Sequence, residues 1–332
     1  MEASEMRRFK NILCVIEHGE ASRSALERAV ALAETNQARL TVVDVVPGVP
    51  YGTGMPDGGP SSAELQAAIF HEHEKRMQAL VEPFLRRVDI QHKLLQGTSF
   101  LGVIREVLRS GHDLVVKCPE SPSWLNRFFS GDDMHLLRKC PCPVWLVKSG
   151  MDDSYRRILA AVDLDDNYPP EEIKTRQALN GVVMELAGAL AVSEFAELHV
   201  VYNWAAFGES SLRESSFMSQ PEAKVNAYVD QLRQHHLRLL DTFIQETGAK
   251  LGPDAMDYIK PQRHLLKGSA RREVPALAKE LQVDCIVMGT VARTGVRGFI
   301  MGNTAETILA QLDCSVLAVK PPGFETPVSL ED

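Results

Sequence analysis

Short runs of consecutive Val, Ile and Leu recur along the chain, and longer stretches of helical character separate them. Strand-length runs without polar alternation belong to strands buried on both faces, as in a parallel sheet covered by helices. In the first half this pattern predicts strands near 11–17, 39–46, 90–96, 112–118 and 143–148, with helices near 21–36, 61–87, 98–109 and 130–140. The second half repeats it, with strands near 157–163, 196–202, 258–266, 283–289 and 314–320. The segment 46–62, VPGVPYGTGMPDGGPSS, is too rich in Pro and Gly for a helix or a central strand. It predicts a loop after the second strand, with 203–221 as its counterpart in the second half.

The two halves are copies of one unit. NILCVIE at 11–17 answers RILAAVD at 157–163, and ARLTVV at 38–43 answers AELHVV at 196–201. Further on, LLQGTS (94–99) answers LLKGSA (265–270), HDLVVKC (112–118) answers VDCIVMG (283–289), and CPVWLVK (142–148) answers CSVLAVK (314–320). Order is kept while the offset grows, which means insertions in connecting loops. The fold class that follows is α/β: two tandem, doubly wound, open parallel-sheet domains. Their expected bounds are 1–150 and 155–322, with a tail over 323–332 and a short polar join around SGMDDSY at 149–155 that keeps them in contact.

A length of 332 residues agrees with two domains, since single cores stop growing near about 250 residues. The composition, 45% hydrophobic and 24% charged, excludes disorder and a membrane class. A net charge of −8 argues against direct nucleic-acid binding, which rests on clustered Lys and Arg. The opening MEASEMRRFKNILCVIE flanks its short apolar run with charges, so the expected location is cytoplasmic with no membrane partner. Six cysteines contain no CxxC pair and mostly sit in strand-like apolar runs, as core thiols do in reducing compartments. Cys140 and Cys142 have a zinc-ligand alternative, against which stand the interleaved prolines and the lack of a second ligand pair nearby.

Catalytic machinery is not evident. There is no GxxxxGK[ST] and no GxSxG motif, and no His activates Cys118. His71 and His73 lie two apart and His235 and His236 are adjacent, spacings that place each pair on different helix faces, so all four are expected to be solvated or half-buried.

A strand ending in Asp163, the segment GTVARTGVRGFIMGNTAE at 289–306, HLLRKCPCPVW at 135–145 and the tail VKPPGFETPVSLED together resemble the universal stress protein family in its tandem form. The resemblance covers nearly the whole chain and implies an adenine nucleotide alpha hydrolase-like fold. In that family Gly, two residues, Gly, nine residues, Gly and then Ser or Thr wrap the phosphates of ATP. Glycines let backbone N–H groups approach phosphate at a helix start. The corresponding positions of the second copy are Gly289, Ala292, Gly302 and Asn303, two of which depart from the pattern. By the same resemblance Val162, Val201 and Met288 line a base pocket, Gly268 approaches it with its backbone, Asp163 meets base or ribose, and Thr304 offers a hydroxyl. Asn303 with Glu306 is expected to form a capping box at that helix start. In the first copy Glu17, Cys118, Ser121 and Ser130-Gly131 replace the motif, and no nucleotide is expected there.

Arg293 and Arg297 on one side of this cleft, and Arg271 and Arg272 on the other, either attract an anionic ligand or are surface charges. The resemblance implies a non-enzymatic protein supporting survival under DNA damage or oxidation. No cofactor is required; the small-molecule ligand of the second domain is ATP or another anionic or amphiphilic metabolite. A weak ATP hydrolase centred on Asp163 and Gly289 is the enzymatic alternative, and a purely partner-binding protein with a collapsed cleft is the structural one. In the family the final edge strand pairs across a dimer; a tandem chain can make that pairing between its own halves as a pseudo-twofold pair, with a homodimer as a further possibility.

Overall fold

The computed structural model describes residues 9–16, 21–50, 59–119, 131–150, 154–215, 218–290 and 301–330. They fall into two compact units. One is built on Arg8–Asp153 and takes in Asp313–Asp332 from the chain's end; the other is built on Ser154–Thr294 and Gly302–Leu312.

The N-terminal unit runs β1 (Asn11–Val15), α1 (Ala21–Asn36), β2 (Arg39–Val46), α2 (Ser62–Val81), β3 (Ile90–Gln96), α3 (Ser99–Ser110), β4 (Leu114–Lys117), α4 (Asp132–Lys139) and β5 (Val144–Leu146). Its strands lie in the order β3-β2-β1-β4-β5 and are all parallel. The apolar runs do what their pattern requires: every residue of β1, β4 and β5 is buried. The chain's last strand, β10 (Ser315–Val319), joins this unit antiparallel to β5, with Leu317 opposite Trp145. The two final strands of the repeats therefore pair with each other, as expected.

Helix α2 starts at a capping box: Ser61 Oγ accepts from the Glu64 amide at 3.3 Å, and Glu64 Oε2 accepts from the Ser61 amide at 2.8 Å. The expected helix over 61–87 stops at Val81, because Pro83 cannot donate to the helical ladder and the chain tightens into a 3₁₀ turn over Glu82–Phe84.

The second unit runs β6 (Arg157–Val162), α5 (Pro170–Glu194), β7 (Glu197–Trp204), α6 (Glu209–Glu214), α7 (Glu222–Leu251), α8 (Pro253–Ile259), β8 (Gln262–Lys267), α9 (Ala270–Glu280), β9 (Cys285–Gly289) and α10 (Asn303–Leu309). Its strands lie β9-β6-β7-β8, again parallel. Two expectations fail locally. The strand expected over 258–266 begins only at Gln262, because Pro253 starts a helix that Lys260 ends at φ +41°. The loop expected over 203–221 carries helix α6, after a strand that runs on to Trp204.

Candidate functional site

In an open α/β sheet, ligands meet the crevice beyond the carboxyl ends of the strands. In the second unit the strand register places Ala161 of β6 between Val201 of β7 and Met288 of β9, so these two side chains share one face of the sheet. Val162 sits one residue on, paired with Tyr202, and turns to the other face. Val162, Val201 and Met288 are all buried.

Asp163 follows directly and is already engaged. Its amide donates to Asn180 Oδ1 at 3.1 Å, and its carbonyl accepts from Asn180 Nδ2 at 2.6 Å. One carboxylate oxygen accepts from the amide of Asp165 at 3.3 Å; the other is ion-paired with Arg176. Arg176 also holds Glu172 through Nε at 3.1 Å and Nη2 at 2.8 Å, and its guanidinium lies 3.7 Å from the centre of the Tyr168 ring. The carboxylate expected to meet a ligand therefore has an internal cation. Glu172, Arg176 and Asn180 are spaced by four on α5 and so share a helix face. Their spacing by four residues displays that polar stripe in the sequence itself.

The glycines split by role. A Cβ on Gly289 would lie 2.5 Å from Cδ2 and 3.1 Å from Cγ of Leu179, so the bare Cα lets α5 close onto the end of β9. Gly268 has φ +136° in the turn between β8 and α9, and its amide donates to the Trp204 carbonyl at 2.9 Å. Gly302, not Asn303, is the residue that precedes α10 in extended conformation; its amide donates to the Thr290 carbonyl at 3.2 Å. Asn303 is the first helical residue and is exposed, and no side-chain hydrogen bond caps the helix. The expected capping box is thus not formed, because the helix begins at Asn303, one residue earlier than a box with Asn303 as its cap requires. Thr304 Oγ1 accepts from Arg271 Nε at 3.4 Å, which brings the starts of α9 and α10 together, while Arg272 pairs with Glu273 at 2.7 Å. Ala292, Arg293 and Arg297, and in the first copy Glu17, Ser121 and Ser130, lie outside the described residues.

The matching place in the N-terminal unit is filled differently. Lys117 occupies the position of Met288 and is buried, with Nζ 2.6 Å from Asp133 Oδ1 in the first turn of α4. Cys118 in the place of Gly289 is also buried.

Two histidines are buried as well, contrary to expectation. His73 Nδ1 donates to Asp44 Oδ2 at 2.6 Å, and His236 Nδ1 meets the Tyr202 hydroxyl at 2.8 Å. Asp44 and Tyr202 are equivalent positions of the repeat, so both copies tie the second strand to a helix through a histidine. His235 lies 2.9 Å from Asp166, and His71 is exposed. Among the described residues no three His, Cys, Asp or Glu side chains converge as a metal-ligand set, and no helix is long and apolar enough to cross a membrane. Cys140 and Cys142 are both buried, with sulfurs 3.6 Å apart.

Two parallel-sheet units with this register and these helix starts define a tandem α/β protein of the nucleotide-binding kind in architecture. The universal stress protein family model matches residues 8–148 and 154–320, and the chain belongs to that family. Universal stress protein E of Escherichia coli strain K12 is 28% identical over 330 residues, covering 98% of this chain and 99% of that protein. The crystal structure of a functionally unknown protein from Pseudomonas aeruginosa PAO1 superposes with a TM-score of 0.62 at 25% identity, over 94% of this chain and 93% of that one. A universal stress protein from Archaeoglobus fulgidus DSM 4304 shares the fold, with a TM-score of 0.60 at 14% identity over 95% and 98% of the two chains.

Proposed function

We propose that this tandem universal stress protein is a non-enzymatic, cytoplasmic stress-response protein whose second unit binds an anionic metabolite, of nucleotide type or amphiphilic, at the carboxyl ends of its strands. The observation that carries the reading is the contact of Arg271 with Thr304, which places a cation and a hydroxyl at two adjoining helix starts beside Gly268 and Gly302. A ligand oxyanion would take over that guanidinium. The contrast with the first copy supports the assignment to the second unit: a buried Lys117–Asp133 ion pair stands there where the second unit has the apolar Met288.

The Asp163–Arg176 pair bears on the identity of the ligand. A ribose hydroxyl addressed to Asp163 has to compete with Arg176, which weakens ATP relative to a ligand that presents an acceptor to Arg176. Native mass spectrometry of freshly purified protein, followed by melts with ATP and ADP, tests the reading. A ligand at 100 times its Kd stabilises the fold by about 2.7 kcal/mol. A co-purified mass or a melt shift that Arg271→Gln diminishes supports the proposal. Absence of any bound mass together with unshifted melts at millimolar nucleotide refutes it. ATP turnover above background that Asp163→Ala removes would favour the hydrolase instead.

A further inference from the structure

The opposite end of the N-terminal unit's sheet, where its strands begin, contains a cavity of about 260 Å³. Asn11 opens β1, Arg39 opens β2 and Gln91 is the second residue of β3; Thr41, Lys93 and His112 complete the wall. Ser110, the last residue of α3, closes it. All the lining residues are polar and none is acidic. A packing fault in a protein core has an apolar lining, whereas a polar cavity is occupied by water or ligand.

The charges around this cavity are unbalanced. Arg39 is exposed, and among the described residues its guanidinium has neither an ion-pair nor a hydrogen-bond partner. Lys93 Nζ lies 2.7 Å from Glu106 Oε1, but that buried carboxylate also takes Ser110 Oγ at 2.7 Å and Arg109 Nη1 at 3.3 Å. One carboxylate is thus shared by two cations and a hydroxyl, and Lys93 is only partly neutralised. Asn11 spends its amide on the carbonyls of Ser110 at 2.8 Å and Gly111 at 3.1 Å, which fixes the wall. His112 is 5% exposed; its Nδ1 lies 3.3 Å from the Asn11 carbonyl, and its buried Nε2 makes no hydrogen bond among the described residues but lies 3.8 Å from Glu106 Oε1.

The fold does not need this set. In the second copy the repeat puts Arg157 in the place of Asn11, Glu197 in that of Arg39, His199 in that of Thr41 and Val283 in that of His112. The same strands form around different chemistry, with the Glu197 carboxylate in the place of the Arg39 cation. We infer that the cavity is a second binding site, confined to the N-terminal unit, for a small metabolite carrying a phosphate or carboxylate group held by Arg39 and Lys93, with Thr41, Gln91 and Ser110 meeting its neutral polar part.

Calorimetric titration of the full chain with inorganic phosphate and with succinate, each against chloride at equal ionic strength, tests this and separates the two anion classes. All titrations are made in the Arg271→Gln background, which removes the anion contact proposed for the second unit, so the binding that remains reports this cavity. At least one anion binds in that background, and Arg39→Gln weakens it roughly tenfold or more, as loss of a charge-assisted hydrogen bond requires. Gln91→Glu, which sets a carboxylate at the rim, weakens it similarly. Both positions are exposed, so unchanged melts in chloride show that the variants are folded. The inference is overturned if neither anion binds up to about 10 mM, where a Kd of 1 mM is near saturation. It is equally overturned if binding survives both cavity variants; neither outcome decides whether the second unit binds nucleotide.

Discussion

Replacing Gly289 by Ala distinguishes a glycine kept for packing from one kept for a ligand. The new methyl would stand 2.5 Å from Leu179 Cδ2, 3.1 Å from its Cγ and 3.4 Å from its Cδ1, against a comfortable carbon separation of about 3.5–4.0 Å. Swinging the terminal methyl alone does not relieve this, because Cγ is also too close. Either Leu179 changes its first torsion or α5 moves off the end of β9. Overpacking of this kind costs about 1–3 kcal/mol, from which the usual gain of roughly 0.5–1 kcal/mol for Gly→Ala within a strand is to be subtracted. Urea unfolding should therefore show a net loss of about 1 kcal/mol. Leu179→Ala alone leaves a cavity beneath α5 and costs about 2–3 kcal/mol. In the double variant the alanine at 289 moves into that space, so the combined loss falls short of the sum by about 1 kcal/mol or more. If Gly289→Ala leaves stability unchanged, or if the two losses add, the packing account of this glycine is refuted.

Other substitutions have equally definite outcomes. Asp133→Asn removes the carboxylate facing the buried Lys117 and should cost about 3 kcal/mol in urea unfolding, while Lys117→Met with Asp133→Leu costs much less, since a paired apolar replacement leaves no buried charge. Burial pushes the Lys320 amine down from 10.5 to about 7, against the opposing pull of Cys140 and Cys142. The unfolded chain therefore holds the extra proton between pH 7 and 10.5, and stability rises with pH across that window by no more than about 1.4 kcal/mol per pH unit. Lys320→Met should be the more stable protein at pH 7, with an advantage that shrinks toward pH 10; parallel pH profiles would exclude Lys320 as the source. Arg176→Gln should cost about 1 kcal/mol or less, because the Asp163 side chain is 46% exposed, and it should enlarge the melt shift given by ATP by releasing that carboxylate. A smaller ATP shift would show that Arg176 itself holds the ligand.

The strands were legible because burial on both faces writes itself into consecutive Val, Ile and Leu, as in NILCV and LVVK. The misplacements came from competing local signals: Pro253 opened a helix where an apolar run read as strand, and α10 began after Gly302 instead of at a side-chain cap. The candidate site was legible in part. Asp163, Gly268, Gly289, Gly302 and Thr304 could be chosen by motif, and the fold does bring them to the carboxyl ends of one sheet. Their partners could not be chosen that way. Arg176 on Asp163, Leu179 under Gly289, and histidines on Asp44 and Tyr202 are contacts between elements whose relative rotation no local pattern encodes.

The amino-acid sequence by itself determined the repeat, the α/β class and the family, because each is expressed in residue order and in the periodicity of single elements. Only the tertiary structure decided which charges are already neutralised and which are not. It spent Asp163 on Arg176, set Lys117 against Asp133, and left Arg39 without a carboxylate among the described residues, above a cavity whose walls come from residues as far apart as Asn11 and His112. Coulomb and hydrogen-bond energies depend on distances between atoms in space, and those distances exist only once the helices have packed onto the sheet.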